Sequence, residues 1–275
     1  MNRNILFLVI SFLFCSYTYG QSHRESFMRA LEAKDMVKAE EALKSWDFAD
    51  SNDAELYVSY FNFYTLKSQD VGLIGTAGYD SKYSNKALEY ITEGIERFPM
   101  RFDMRVAKIH MLGTLKEFTS FTSEVINMIE YSVKIDNNWK GEGFLSIEQP
   151  AEIFDGAITN FQGVLYKEKN PTLYNNVLQI STATLKHYPR HVQSMLNIST
   201  VYVRQNKYDN SLDILLKAIK IEPKNAILHY NIAYVYGLKG DRVNSKKYYE
   251  SVVANATDKE GNLKEAAQRH LNELK

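Results

Sequence analysis

Pro189 and Pro223 stand 34 residues apart, and the residues that follow each proline run in the same order. Asn197, Ile198, Ser199 and Tyr202 lie 8, 9, 10 and 13 residues past Pro189; Asn231, Ile232, Ala233 and Tyr236 lie at the same offsets past Pro223. Self-similarity at a fixed period of this length constrains a chain to stack copies of one helical unit, because a single copy cannot bury its apolar face alone. Small residues at Ser199 and Ala233 let two helices approach, and Tyr202 and Tyr236 fill the space beside them.

The period and the pattern resemble the tetratricopeptide repeat (TPR), a helix-turn-helix unit of about 34 residues. In residues 192–225 the family's positions fall on Met195, Ile198-Ser199, Tyr202, Ser211, Leu215, Ala218 and Pro223. In the next unit they fall on His229, Ile232-Ala233, Tyr236, Ser245 and Tyr249, with Gly240 at the inter-helix turn and Thr257 where the closing proline belongs. The clear match covers residues 190–256. Over 84–189 it is weaker: Ala87, Leu88, Ile91, Gly94 and Pro99 resemble a second helix and its closing proline, and Tyr188-Pro189 closes a segment that opens on Asn170 as a cap with Pro171 at the first helical position. Pro99 and Pro189 are 90 residues apart, which is not a multiple of 34, so a unit between them is lengthened or irregular.

The resemblance implies an all-α fold, a right-handed α-α superhelix (TPR-like solenoid) with irregular N-terminal repeats, that binds a protein or peptide rather than catalysing a reaction. In the family the first helix of each unit lines the concave face. Its contact positions correspond to Gln193, Leu196, Asn197, Thr200, Val203 and Arg204, then to Ile227, Tyr230, Asn231, Tyr234, Gly237 and Leu238. Asn197, Thr200, Arg204, Tyr230, Asn231 and Tyr234 are therefore the expected partner-binding residues. A groove that clamps a terminal carboxylate would want Lys where Leu196 stands and Asn where Thr200 stands, so this one departs from that type.

Apolar periodicity near 3.6 predicts helices over 22–33, 36–46, 53–67, 84–98, 102–115, 119–134, 152–166, 172–187, 192–205, 208–221, 226–238, 242–254 and 261–274, and no segment shows the period of two that a sheet would need. Ser22-x-x-Glu25 reads as a capping box. The last segment places Leu263, Ala267, His270, Leu271 and Leu274 on one stripe and Lys264, Glu265, Gln268, Arg269 and Glu273 elsewhere, the pattern of a polar-backed terminal cap. The organisation expected is 1–20 signal peptide, 21–135 divergent helical repeats, 136–151 loop and 152–275 repeats with the capping helix.

Arg3, the apolar run from Ile5 to Phe14 and the small residues Thr18 and Gly20 have the three parts of a secretory signal peptide, cut near Gly20. A run of about ten apolar residues is short of the ~20 that span a bilayer. The chain is thus expected to be bacterial-looking, exported, and periplasmic or secreted, with no membrane span once the signal is removed. Phe14 before Cys15 argues against lipidation, and since Cys15 leaves with the signal, thiolate chemistry, disulfides and Cys-ligated zinc leave with it.

The formal net charge is zero, which argues against a broad basic nucleic-acid surface. Residues 21–185 carry 17 Lys or Arg against 24 Asp or Glu, whereas 186–275 carry 15 against 9. That asymmetry could steer an acidic partner to the C-terminal repeats, although solvated helix faces of uneven sign account for it as well. Gly72, Gly75 and Gly78 lack the Lys-Ser/Thr of a phosphate loop and read as a surface loop. His187 and His191 are separated by Pro189, which breaks the helix that would align them on a metal, so they read as exposed turn residues. His229 occupies a packing position. No catalytic residue, metal or cofactor is assigned. Tyr57, Tyr60, Phe61 and Tyr64 share one helical face with Phe63 left over, which reads as core packing; a glycan or small-ligand groove there, and a self-associating homo-oligomer, are the competing readings.

Overall fold

The computed structural model describes residues 20–69, 78–141 and 150–274. Residues 1–19, over which a signal peptide is expected, and Gly72 and Gly75 lie outside the described residues. Thirteen α-helices account for nearly all of the rest: α1 Gly20–Glu32, α2 Met36–Ala49, α3 Ala54–Gln69, α4 Ser81–Arg97, α5 Phe102–Thr114, α6 Phe118–Lys134, α7 Pro150–Lys167, α8 Tyr174–His187, α9 Val192–Arg204, α10 Tyr208–Ile221, α11 Ala226–Leu238, α12 Arg242–Asn255 and α13 Gly261–Glu273. Among the described residues there is no strand, only an isolated bridge between Arg101 and Lys140. The fold is all-α, as the periodicity predicts.

Two kinds of turn organise these helices. Between α1 and α2, α5 and α6, α9 and α10, and α11 and α12, the chain passes through a left-handed residue: Lys34, Lys116, Asn206 and Gly240 respectively. The residue after each donates its N–H to a carbonyl five positions back, as in Asp35 to Ala30, Glu117 to Leu112, Lys207 to Tyr202 and Asp241 to Tyr236. This is the bond of a Schellman ending, which satisfies a helix's last carbonyls while turning the chain sharply. Asn206 and Gly240 are 34 residues apart. The second kind of turn carries proline: after Pro99, Pro189 and Pro223, Arg101, His191 and Asn225 donate to the carbonyls of Phe98, Tyr188 and Glu222. Alternation of the two turns defines helix pairs, and it resolves the 90-residue gap: α5–α6 and α7–α8 both lie between Pro99 and Pro189, with the connection after α6 supplying the extra length.

Contacts divide the chain into two compact units, residues 1–124 with 134–151, and residues 125–133 with 152–275. The division runs through α6 rather than through the 136–151 segment alone. In the first unit, α3 is buried nearly all round, and its Tyr57, Tyr60, Phe61, Phe63 and Tyr64 are each at most 7% exposed. Tyr60 and Tyr64 continue into a ladder of near-parallel rings with Tyr90 of α4, at centroid separations of 4.1 and 5.5 Å. These aromatics are core, Phe63 included, so neither an open stacking groove nor an exposed aromatic face for self-pairing exists on α3. Gly94 of α4 permits the close α3–α4 approach, since a Cβ there would lie 2.8 Å from Tyr57 Cβ. Arg101 donates to Glu55 and Asp103, joining α3 to the start of α5. The segment after α6 folds back on the same point: Trp139 packs on Phe102, and Phe102 N–H donates to Lys140 O.

In the second unit the small residues act as the repeat pattern requires. Ser199 Oγ and Ser211 Oγ lie 2.7 Å apart between α9 and α10, and Ser245 Oγ donates to Ala233 O between α11 and α12. His229 is buried with Nε2 against Pro223 O, as expected of a packing position. Thr257, in place of the closing proline, forms a capping box with Glu260 that starts the turn into α13. On α13, Ala267 and Leu271 are buried while Lys264, Glu265, Gln268, Arg269 and Glu273 are exposed.

Candidate partner-binding surface

The first helices of the helix pairs in the second unit are α7, α9 and α11, followed by α13. On α11 the residues at i, i+4, i+7 and i+11 from Ile227 are Asn231, Tyr234 and Leu238, one stripe of a helix. Ile227, Tyr234 and Leu238 are 44%, 43% and 40% exposed, and they stand out because large apolar side chains elsewhere on α11 are packed away. Asn231 is half-buried between them and donates Nδ2–H to Ile227 O. The stripe thus combines three apolar contacts with one amide.

The other predicted positions have different fates. Asn197, at the register of Asn231 one period earlier, is 5% exposed, and its amide is spoken for within the protein: Nδ2 donates to Gln162 Oε1 at 2.6 Å and Oδ1 accepts from Gln193 Nε2 at 3.1 Å. Gln162 in turn donates to Ser181 Oγ, and Tyr166 OH reaches the Asn197 carbonyl. Such a network is favourable only when every member is satisfied, so withdrawing Asn197 to meet a partner would break bonds that nothing nearby replaces. Thr200 is half-buried with its hydroxyl on Leu196 O. Arg204 is exposed, its guanidinium 4.4 Å over the Tyr174 ring. Tyr230 turns away from the stripe into the contact with α13, where its hydroxyl lies 3.2 Å from His270 Nε2 and its ring meets Tyr249 edge-on. The helix brings Asn231 and Tyr234 together on one open face; Asn197 and Tyr230 are instead structural bridges from α9 to α7 and from α11 to α13.

The bridge from α7 has a trace in the sequence: Gln162 lies 35 residues before Asn197, close to one period. The two turn histidines are a second correction. His191 is buried at the start of α9, where its Nδ1 accepts Ser194 N–H at 3.0 Å, and His187 is half-buried with Nε2 3.3 Å from Glu130. Proline breaks the helix as expected, yet the turn it makes drives His191 inward against α7. Among the described residues no three His, Cys, Asp or Glu side chains are grouped to hold a metal ion, and no helix is long and apolar enough to cross a membrane.

Comparison with known families decides the class of these helix pairs: one model of the TPR repeat matches residues 200–240, and a second tetratricopeptide repeat model matches residues 226–259. Residues 200–259 of this chain are thus TPR repeats. Repeats of this type stack into extended surfaces and are used as scaffolds for protein–protein interaction. No curated protein matches. Among solved structures, the chain is similar to YrrB, a TPR protein with an unusual peptide-binding site, at 14% identity over 83% of this chain and 98% of that one, with a TM-score of 0.42. A TPR protein from Parabacteroides merdae gives 15% identity over 93% and 88%, with a TM-score of 0.40. The assembly chaperone of RpL4, Acl4, gives 9% identity over 92% and 97%, with a TM-score of 0.41.

Proposed function

We propose that this TPR-containing protein is an exported, non-catalytic scaffold that binds a peptide or protein partner through the open face of α11, with the exposed ends of α9 alongside. The observation that carries the reading is the stripe Ile227–Asn231–Tyr234–Leu238, with its three apolar members exposed, on a helix whose remaining large side chains are buried or half-buried. Exposed aromatic and aliphatic side chains on a rigid element are the groups from which binding hot spots are made, and an amide among them can align a partner's backbone. The nearby cations do not form a ready carboxylate clamp: Lys239 is paired with Asp209, and Arg204 lies over Tyr174. Recognition by shape and apolar contact fits these groups better than recognition by charge.

The test is capture of a partner from an envelope extract by the mature chain, repeated with Asn231→Ala/Tyr234→Ala and with Ile227→Ala/Leu238→Ala. Either pair should weaken binding by roughly ten- to hundredfold, a loss of about 1–3 kcal/mol, with the melting temperature kept. Lys264→Ala on the outer face of α13 is the control. Unchanged capture by both double variants would remove α11 from the interface. Export is tested separately by sequencing the N-terminus of the protein recovered from the envelope, which should begin near Gln21.

A further inference from the structure

His191 is an unusual helix cap. Its side chain is 4% exposed, Nδ1 accepts the Ser194 N–H in the first turn of α9, and Nε2 lies 2.7 Å from Asp155 Oδ1 on α7. An acceptor at Nδ1 requires the neutral ring, with its one proton on Nε2, which lies close to the Asp155 carboxylate without the alignment of a hydrogen bond. Asp and Ser, the ordinary residues for this position, would cap at any neutral or mildly acidic pH; histidine does so only while Nδ1 is unprotonated. We propose that His191 is an acid-sensitive latch between α7 and α9: a proton taken up from solvent at Nδ1 removes the acceptor of the Ser194 N–H and opens the first turn of α9.

The surroundings determine the pH at which this happens. Burial pushes the imidazole below its ordinary pKa, and the Asp155 carboxylate pulls it back up in part. Apart from the exposed Arg190, the charged and polar groups of the adjoining helices are engaged. Lys186 and His187 at the end of α8 contact Glu130 of α6, Tyr188 OH lies 2.6 Å from Ser132 Oγ, and α9 has no acidic residue in its first turn to hold a protonated ring. A folded-state pKa lowered below about 6.5 means that the unfolded chain binds the proton more readily. The cap's contribution is therefore complete above about pH 6.5 and is lost as pH falls toward the folded-state value. Ser194 also sits 3.4 Å from Gln162 Nε2, so opening this turn disturbs the network that buries Asn197, and α9 carries Gln193, Thr200 and Arg204 beside the proposed interface.

The experiment follows the His191 ring nitrogens and the Ser194 amide by NMR on the mature chain between pH 8 and pH 5. Wild type should show the Nε2–H tautomer at pH 8, and Ser194 exchange protection should fall by up to about tenfold per pH unit below 6.5. His191→Asn supplies a cap that does not titrate and should hold Ser194 protection flat over that range. Asp155→Asn should move the loss to lower pH. Identical pH profiles in wild type and His191→Asn would overturn the latch, as would a neutral ring carrying its proton on Nδ1. Should His191→Asn fail to fold, the wild-type data still decide: a ring that gains its second proton with Ser194 protection unchanged overturns the proposal.

Discussion

Replacing Gly94 by alanine should destabilise the first unit, against the usual benefit of exchanging glycine for alanine inside a helix. The added Cβ would stand 2.8 Å from Tyr57 Cβ, 3.1 Å from Met104 Sδ and 3.2 Å from Tyr57 Cγ. Carbon pairs settle near 3.5–4.0 Å, so α3 and α4 must part by several tenths of an ångström. Tyr57 cannot yield alone, because the atom that is met belongs to the root of its side chain. Its ring is also buried against Phe98, with the hydroxyl donating to Ser51 O. Overpacking of this kind costs about 1–3 kcal/mol, whereas the helical gain is about 0.5–1 kcal/mol. The net loss is then roughly 0.5–2 kcal/mol, or several degrees of melting temperature by the usual scaling. Gly156 of α7 has nothing within 4 Å of its would-be Cβ, so Gly156→Ala should stabilise by about 0.5–1 kcal/mol. Both tryptophans, Trp46 and Trp139, lie in the first unit, so urea unfolding followed by tryptophan fluorescence reads the unit that contains Gly94, and circular dichroism reads the whole chain. A Gly94→Ala variant as stable as wild type by fluorescence would refute the close α3–α4 contact.

Leu271→Asp on α13 should cost on the order of ~3 kcal/mol, because it buries an unpaired carboxylate beside Ala267, and an unchanged thermal melt would show α13 to be a loose tail. Arg101→Met should cost about 3 kcal/mol in urea unfolding, since Glu55 and Asp103 lose the guanidinium they share at a largely buried site, and salt should not rescue it. Burial raises the Tyr90 phenol to about 12, so stability from this ring is present below pH 10, where both states keep the proton, and is lost as pH rises from 10 through 12. Ultraviolet titration should show Tyr90→Phe removing a late-ionising phenol; a spectrum in which every tyrosine ionises near pH 10 would contradict the packed ladder.

The helix boundaries were legible to within a few residues because they depend on local signals. Pro99, Pro189 and Pro223 end helices whatever surrounds them, and Asn170 caps the turn at Pro171 by accepting Thr172 N–H, as the sequence predicts. Burial of a single polar side chain depends on what the neighbouring helix carries. Asn197 and Asn231 are the same residue at the same register, yet one is sealed and the other half-open. The burial of Phe63 has a related cause: a single amphipathic face leaves it outside, whereas α3 is packed on several sides by α1, α2 and α4.

The difference between the two asparagines also argues for where a partner can bind. In a stacked repeat each first helix meets the first helix before it and the one after it, so its open face is whatever those neighbours leave uncovered. At Asn197 the preceding helix supplies Gln162 and Tyr166, whose long polar side chains reach across and close the position. At Asn231 the one side-chain bond is local, Nδ2–H to Ile227 O, while His270 of the following helix engages Tyr230. The open stripe on α11 thus lies beyond the reach of the sealed network on α7 and α9, and Gln162→Leu should release the Asn197 Nδ2–H while leaving the bond from Gln193 in place. If the partner prefers amide contacts, that variant should bind more tightly than wild type; if it reads the apolar stripe alone, affinity should stay within about twofold, a few tenths of a kcal/mol.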